Sequence, residues 1–201
     1  QEEMTNFIET ELTESLKGLP TRTTQFGRFD KGLAYTILMK YYMHEKNWAK
    51  AEECGRELLK AEYGYGLKDR YAEIFTLENE GNKEIIFACT EERGTNLQLW
   101  HDHALPGNYP TKNASIQKWD GYKVPWPFYR TFEEGDDRLS VLVGEYVGTD
   151  GVLFNEESDI AKHGNLYSGA VPVKYGEAPE STGDGSQIDL VVYRYADVLT
   201  L

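Results

Sequence analysis

Three of the four tryptophans, Trp100, Trp119 and Trp126, fall within the stretch 94–129, interleaved with Tyr109, Tyr122, His101 and His103. Flat rings in such density point to stacking chemistry. The C–H faces of a sugar ring lie well on Trp and Tyr, and its hydroxyls need polar partners around the rim. The same stretch supplies those partners in Asn96, Gln98, His101, Asp102, Asn108 and Asp120. It has four prolines, three glycines and no helical period. A loop of this length in a compact chain is functional or disordered, and its aromatic content argues against disorder. The alternative is that Trp119 and Trp126 pin the loop to the rest of the chain.

Other chemistries fit less well. His101-Asp102-His103 puts two histidines on one face if the segment is a strand, but two ligands do not close a metal site. The acidic stretches 150–159 and 177–189 carry oxygen ligands without the spacing of a twelve-residue calcium loop. Glu133, Glu134, Asp136 and Asp137 could suggest the paired carboxylates of a glycosidase. A run of adjacent acids reads more simply as a solvated helix end. The chain has no serine elbow, phosphate-cradling glycine loop or cysteine–histidine pattern. We therefore expect no catalytic residue, metal or cofactor.

The elements that position the aromatic loop are helical. In residues 27–61, Leu33, Ile37, Leu38, Tyr41 and Tyr42 recur at the spacing of a half-buried helix. Asn47 caps a second helix starting at Trp48. Ala51, Cys54 and Gly55 let the two approach closely, and Leu58 and Leu59 complete the seam. This is the layout of one tetratricopeptide-type hairpin, which cannot bury its own face alone. Residues 3–17 predict a further amphipathic helix, and 68–75 a short one. Glu84–Thr90 predicts a strand, since Ile85-Ile86-Phe87-Ala88 is apolar and rich in β-branched and aromatic residues. Beyond the loop we expect a short helix from Pro127 to Glu134 and a strand over 140–147. A hairpin turn at 148–151, a short strand at 171–175 and a mobile loop at 176–187 follow. From Ile188 the chain enters another helix. The fold class is mostly α with packed irregular loops and a few short strands. The parts run consecutively: helical to residue 92, loop-rich and ligand-binding over 93–187, and a further helix from 188 to 201.

The 201 residues carry a formal charge of −13. That excludes nucleic acid, which needs a basic footprint, and docking on an anionic membrane by charge. Fourteen tyrosines and four tryptophans are many for a chain of mean hydropathy −0.59. Cys54 and Cys89 read as two buried, inert thiols.

Four segments also carry a family resemblance. Gly27-Arg28, Lys31-Gly32, Ala34, Leu38 and Tyr41 are followed by Asn47-Trp48 and Lys50-Ala51. Tyr71 to Phe75 precedes Asn82, Glu84 and Ile86-Phe87. Phe132, Gly135-Asp136 and Arg138 come next, then Arg194-Tyr195-Ala196-Asp197-Val198-Leu199. In this order they resemble the SusD/RagB family of surface nutrient-binding lipoproteins. The resemblance implies a SusD-like α/α repeat fold and non-catalytic capture of a glycan or similar nutrient at the outer-membrane surface. It implies delivery to a SusC-like TonB-dependent transporter. A secretion signal, a lipidated cysteine and further helical repeats would flank this fragment, so contact with the membrane would run only through that anchor. It places ligand-stacking aromatics in loops after the strand at Ile85–Ala88. The site residues expected are Trp100, Trp119, Trp126, Tyr109, Tyr122, His101, Asn96, Asn108 and Asp120. The competing reading is a tetratricopeptide-type protein-interaction module without glycan binding. A glycoside hydrolase or esterase fragment ranks third.

Overall fold

A computed structural model describes residues 2–158, 166–178, 181 and 183–201. In chain order, the helices are α1 (Glu2–Ser15), α2 (Lys31–His44), α3 (Trp48–Leu58), α4 (Trp100–Ala104), α5 (Trp126–Tyr129) and α6 (Tyr195–Thr200). The strands are β1 (Ile85–Cys89), β2 (Val124–Pro125), β3 (Leu142–Val143), β4 (Tyr146–Val147), β5 (Leu153–Phe154), β6 (Gly169–Pro172) and β7 (Leu190–Arg194). The structure is helical with short strands. No helix among the described residues is long and apolar enough to cross a membrane.

Contacts divide the chain into two units that interleave along the sequence, where the sequence reading has consecutive parts. The first holds Gln1–Lys68, Gly81–Thr90 and Val191–Leu201; the second holds Asp69–Glu80 and Glu91–Leu190. In the first, α2 and α3 form the expected hairpin. Asp30 caps α2, its Oδ1 accepting from the Leu33 N–H at 3.0 Å, and Asn47 caps α3 by accepting from Lys50 N–H. Lys46 takes a left-handed φ of 58° in the turn between them. The core is Leu38, Met39, Tyr42, Ala51, Cys54, Leu58, Tyr63, Ile86 and Val198. Leu59, expected in the seam, is exposed instead. Gly32 has a reason to be glycine inside a helix: a Cβ there would stand 1.9 Å from the Tyr65 hydroxyl.

The segments behind the resemblance include ties within this unit. Asn82 accepts from the Glu84 N–H at 2.9 Å, and the buried Glu84 carboxylate accepts from Arg194 at 3.2 Å. The Tyr195 N–H donates to the Glu84 carbonyl, and Asp197 closes the turn by accepting from the Arg194 N–H. β1 pairs with β7. Ile188 therefore leads into a strand first, and the helix begins only at Tyr195. Cys89 is exposed, against expectation, because it stands at the end of β1; Cys54 is buried, and burial pushes its thiol up to about 11.

The second unit has three small antiparallel pairings. β6 lies between β2 and β3, with Val124 opposite Ala170 and Val143 opposite Val171. β4 and β5 form the expected hairpin, with Tyr146 opposite Phe154. The strand expected over 140–147 is broken into a 3₁₀ turn (Asp137–Val141), β3 and β4. Asp136 caps that turn, and its carboxylate also grips the Arg138 guanidinium, which lies 4.8 Å over the Phe132 ring. The Asp136–Arg138 segment is thus a structural turn. The core is Ala104, Leu105, Ile116, Trp126, Tyr146, Phe154, Leu166, Ala170 and Val171. The mobile loop expected at 176–187 is pinned where it is described: Ser186 and Gln98 exchange backbone hydrogen bonds at 2.7 and 3.1 Å. Residues 179, 180 and 182 of it lie outside the described residues.

Candidate functional site

The aromatic stretch contains a helix that its sequence did not announce. Trp100–Ala104 forms α4, five residues long, with the Gln98 side chain accepting from the Trp100 N–H at 2.6 Å. The turn matters because Trp100 and His103, three apart, share a face. It also separates His101 from His103, since residues two apart on a helix point in different directions. The strand-like metal pairing is therefore not formed. No group of three or more His, Cys, Asp or Glu side chains converges among the described residues. Residues 159, 179, 180 and 182 of the acidic stretches lie outside them.

The carbonyl ends of α4 hold the next stretch of chain. Trp119 N–H donates to the Asp102 carbonyl at 2.6 Å, and Gly121 and Tyr122 N–H donate to the His103 carbonyl at 2.6 and 2.8 Å. Between them Asp120 adopts a left-handed φ of 56°, a conformation that Asp tolerates better than most side chains. Its carboxylate accepts from Lys123. Gly121 passes close to α4: a Cβ there would lie 3.3 Å from the His103 carbonyl oxygen.

Ring contacts then run outward from the core without a break. Phe75 packs on Tyr175 at 5.4 Å, Tyr175 on Trp100 at 5.6 Å, and Trp100 on Tyr122 at 5.6 Å. Tyr122 stacks on His103 at 4.9 Å, and His103 meets Trp119 edge-on at 4.8 Å. Exposure differs from ring to ring. Phe75 and Tyr175 are buried, Trp100 and His103 half-buried, Tyr122 is 44% exposed and Trp119 45%. Trp100 is fixed further by its indole N–H, which donates to the Pro172 carbonyl at 2.9 Å. The Lys174 ammonium sits 4.2 Å from the Phe75 ring centre and 6.0 Å from that of Trp100. The result is a wet aromatic face built on a dry support.

Of the expected site residues, Trp100, Trp119, Tyr122 and Asp120 meet here. Five others do not. Trp126 is only 8% exposed and donates its indole N–H to the Leu166 carbonyl at 2.8 Å, so it is core. Tyr109 packs on Tyr146 at 5.0 Å, and burial raises its phenol. Asn108 accepts from the Tyr146 hydroxyl at 2.7 Å. Asn96, on a separate turn, is exposed and donates to Glu91 at 2.8 Å. His101, expected at a sugar-binding rim, is 2% exposed, and neither ring nitrogen has a hydrogen-bond partner among the described residues. Desolvation lowers its pKa, against the opposing pull of Asp102, whose Oδ2 lies 3.4 Å from its Nε2. Asp102 is fully buried and accepts the Gly185 N–H at 3.0 Å.

Sequence reasoning left out His103 as a member of the aromatic face. The signal was the Trp100-x-x-His103 spacing, legible only once those residues are known to be helical. Tyr175 and Lys174 come from a distant segment and carried no local signal.

No family model and no curated protein sequence matches this chain. Solved structures do. A SusD superfamily protein from Parabacteroides distasonis matches over 94% of this chain and 42% of its own, at 18% identity and a TM-score of 0.71. Surface glycan-binding protein A from Bacteroides thetaiotaomicron matches over 98% of this chain and 47% of its own, at 18% identity and a TM-score of 0.72. The latter protein in complex with laminarihexaose gives 16% identity, 98% and 47% coverage, and a TM-score of 0.71. This chain therefore has a SusD-like fold, and it spans less than half the length of those structures.

Proposed function

We propose that the chain is part of a non-catalytic surface glycan-binding protein, and that the sugar stacks on Trp119 and Tyr122. The observation that carries this reading is that both rings are exposed while their backbones are bonded to α4 and both pack on His103, Trp119 edge-on and Tyr122 stacked. A face that is rigid before the ligand arrives loses little entropy on binding. Asp120 supplies hydrogen-bonding capacity beside the rings, and Trp100 supports Tyr122 from behind. The SusD-like fold, found also in a glycan-binding protein solved with laminarihexaose, supports the same reading. No bond is made or broken in this function. The α2–α3 hairpin acts as a tetratricopeptide-like scaffold, and residues 91–190 carry the ligand. The whole protein sits at the outer-membrane surface, anchored by lipid, and passes its ligand to a SusC-like TonB-dependent transporter.

A second reading has its own support. Met39, Met43, Trp48, Gly55, Leu59 and Leu199 line an apolar groove of about 460 Å³ on the hairpin. A protein-interaction module would use that groove and leave the aromatic face idle.

Intrinsic tryptophan fluorescence, titrated with a panel of oligosaccharides and polysaccharides, separates the two. We expect a saturable shift with one glycan class. Trp119→Ala should weaken binding about tenfold or more, the scale of one lost stacking contact plus its buried area. A flat response across the panel from the folded whole protein would sink the glycan reading and favour the groove.

A further inference from the structure

We propose that this site takes uncharged glycans and turns away those bearing carboxylate or sulfate groups, and that Asp120 is the residue that sets this preference. The inference rests on the glycan-binding reading above.

Asp120 directly follows Trp119 in the chain and stands two residues before Tyr122, on one tight turn. Its own N–H donates to the Leu105 carbonyl at 3.1 Å, while those of Trp119, Gly121 and Tyr122 donate to α4 carbonyls at 2.6–2.8 Å. The backbone that bears the carboxylate is therefore as firmly held as the backbone that bears the two exposed rings.

Asp120 and Lys123 form an ion pair whose two ends differ in exposure. The aspartate side chain is 33% exposed and the lysine side chain only 11%. The Lys123 ammonium is committed to Oδ1 of Asp120 and to the Tyr122 carbonyl at 3.4 Å. Water thus reaches the carboxylate far more than the cation, and Oδ2 accepts no hydrogen bond among the described residues. Neighbouring lysines do not replace that cation. Lys118, next to Trp119 in the chain, donates to the Tyr109 carbonyl at 2.8 Å, and burial lowers its pKa. Lys174 holds its ammonium 4.2 Å from the ring centre of the buried Phe75.

An exposed acceptor of this kind suits a hydroxyl. A neutral sugar donates an O–H to Oδ2 in a charge-assisted hydrogen bond. A uronate or a sulfate ester has no proton to give there. It meets a like charge and finds no cation in return for its lost water. The chain's charge of −13 adds repulsion at long range, which salt screens. The contribution of Asp120 is local, and it falls on a sugar held by the rings. Asn tolerates the left-handed backbone of this position as Asp does, so Asp120→Asn removes the charge and keeps the turn.

The test uses the whole protein with laminarin, xyloglucan, mannan and pullulan, which are neutral. Partly sulfated and equally methylated forms of the same polymers are run beside them, because methylation blocks as many hydroxyls without adding charge. Calorimetry at physiological ionic strength gives Kd. We expect the sulfated form of the best ligand to bind at least about tenfold more weakly than its methylated form. Asp120→Asn should narrow that gap, weakening the neutral polymer and strengthening the sulfated one. Glu145→Gln removes an exposed acid between β3 and β4 and should leave the gap as it is. A sulfated form that binds as tightly as the methylated one, with binding lost in Trp119→Ala, overturns the exclusion and leaves the site standing. A gap unchanged in Asp120→Asn, or narrowed as much in Glu145→Gln, assigns the exclusion to overall charge and overturns the role of Asp120. Failure of every polymer, neutral and sulfated, to bind the folded protein overturns the glycan reading itself.

Discussion

Trp119 and His101 lie within one small region, yet burial sends them to opposite roles. Trp119 keeps its ring in water because its backbone N–H is bonded to α4 and its edge rests on His103. His101, on α4 itself, is buried, and neither ring nitrogen has a hydrogen-bond partner among the described residues. Burial disfavours its charged form, so its folded pKa lies below the ordinary 6.5. Between that lowered value and 6.5 the unfolded chain binds a proton that the folded chain refuses. The contribution of neutral His101 to stability is therefore complete above the window and lost as pH falls through it. Glu80, Glu91 and Asp189 act in the opposite sense, because burial raises their carboxyl pKa values and favours protonation in the folded state. The His101 component is isolated by comparison with His101→Phe. Melting temperatures taken about one unit above and below 6.5 should fall more on acidification in the wild-type chain than in the variant. Equal slopes would show that His101 stays uncharged in both states or is charged in both.

At the scale of elements, local capping and distant packing share the work. Asp30 is buried, accepts from the Leu33 N–H at 3.0 Å and also accepts from the Thr23 N–H at 3.2 Å. Removing it leaves two donors short of a partner at the start of α2. Asp30→Ala should cost about 1–2 kcal/mol of unfolding free energy, read by denaturant titration. Asn47→Ala, at an exposed cap with a single longer bond of 3.3 Å, should cost less. The opposite ranking would mean that the Asp30 contacts are not formed in solution. α4 is a different kind of element. Five residues are too few to be stable alone. It persists because Gln98 holds its start and because the backbone of 119–122 takes up carbonyls of Asp102 and His103.

For the whole molecule, charge is the property with the clearest consequence. A net charge of −13 repels polyanions at long range but does little to a neutral sugar stacked on rings. Glycan affinity should therefore change little between low and high salt, as measured by titration at fixed pH. An affinity that falls steeply with salt would instead point to a charged ligand.

Much of the helical scaffold is local physics. Apolar spacing marks α2, the Asn47 cap marks α3, and the β-branched run marks β1, so these could be read from sequence. The concentration of aromatics at 94–129 likewise marked the stretch in which Trp100, Tyr122, His103 and Trp119 pack together. What sequence could not separate was Trp119 from Trp126. Both are tryptophans in a proline-rich segment, and only distant partners distinguish them: the Leu166 carbonyl and the β6 packing for one, α4 for the other. The division of His101 from His103 has the same origin, because a five-residue helix has too little periodicity to announce which side of it is buried. Composition and short-range spacing thus determined the helical scaffold and the stretch in which the aromatic rings gather. The choice of rings that reach water was left to long-range hydrogen bonds and packing, which act between residues far apart in the chain.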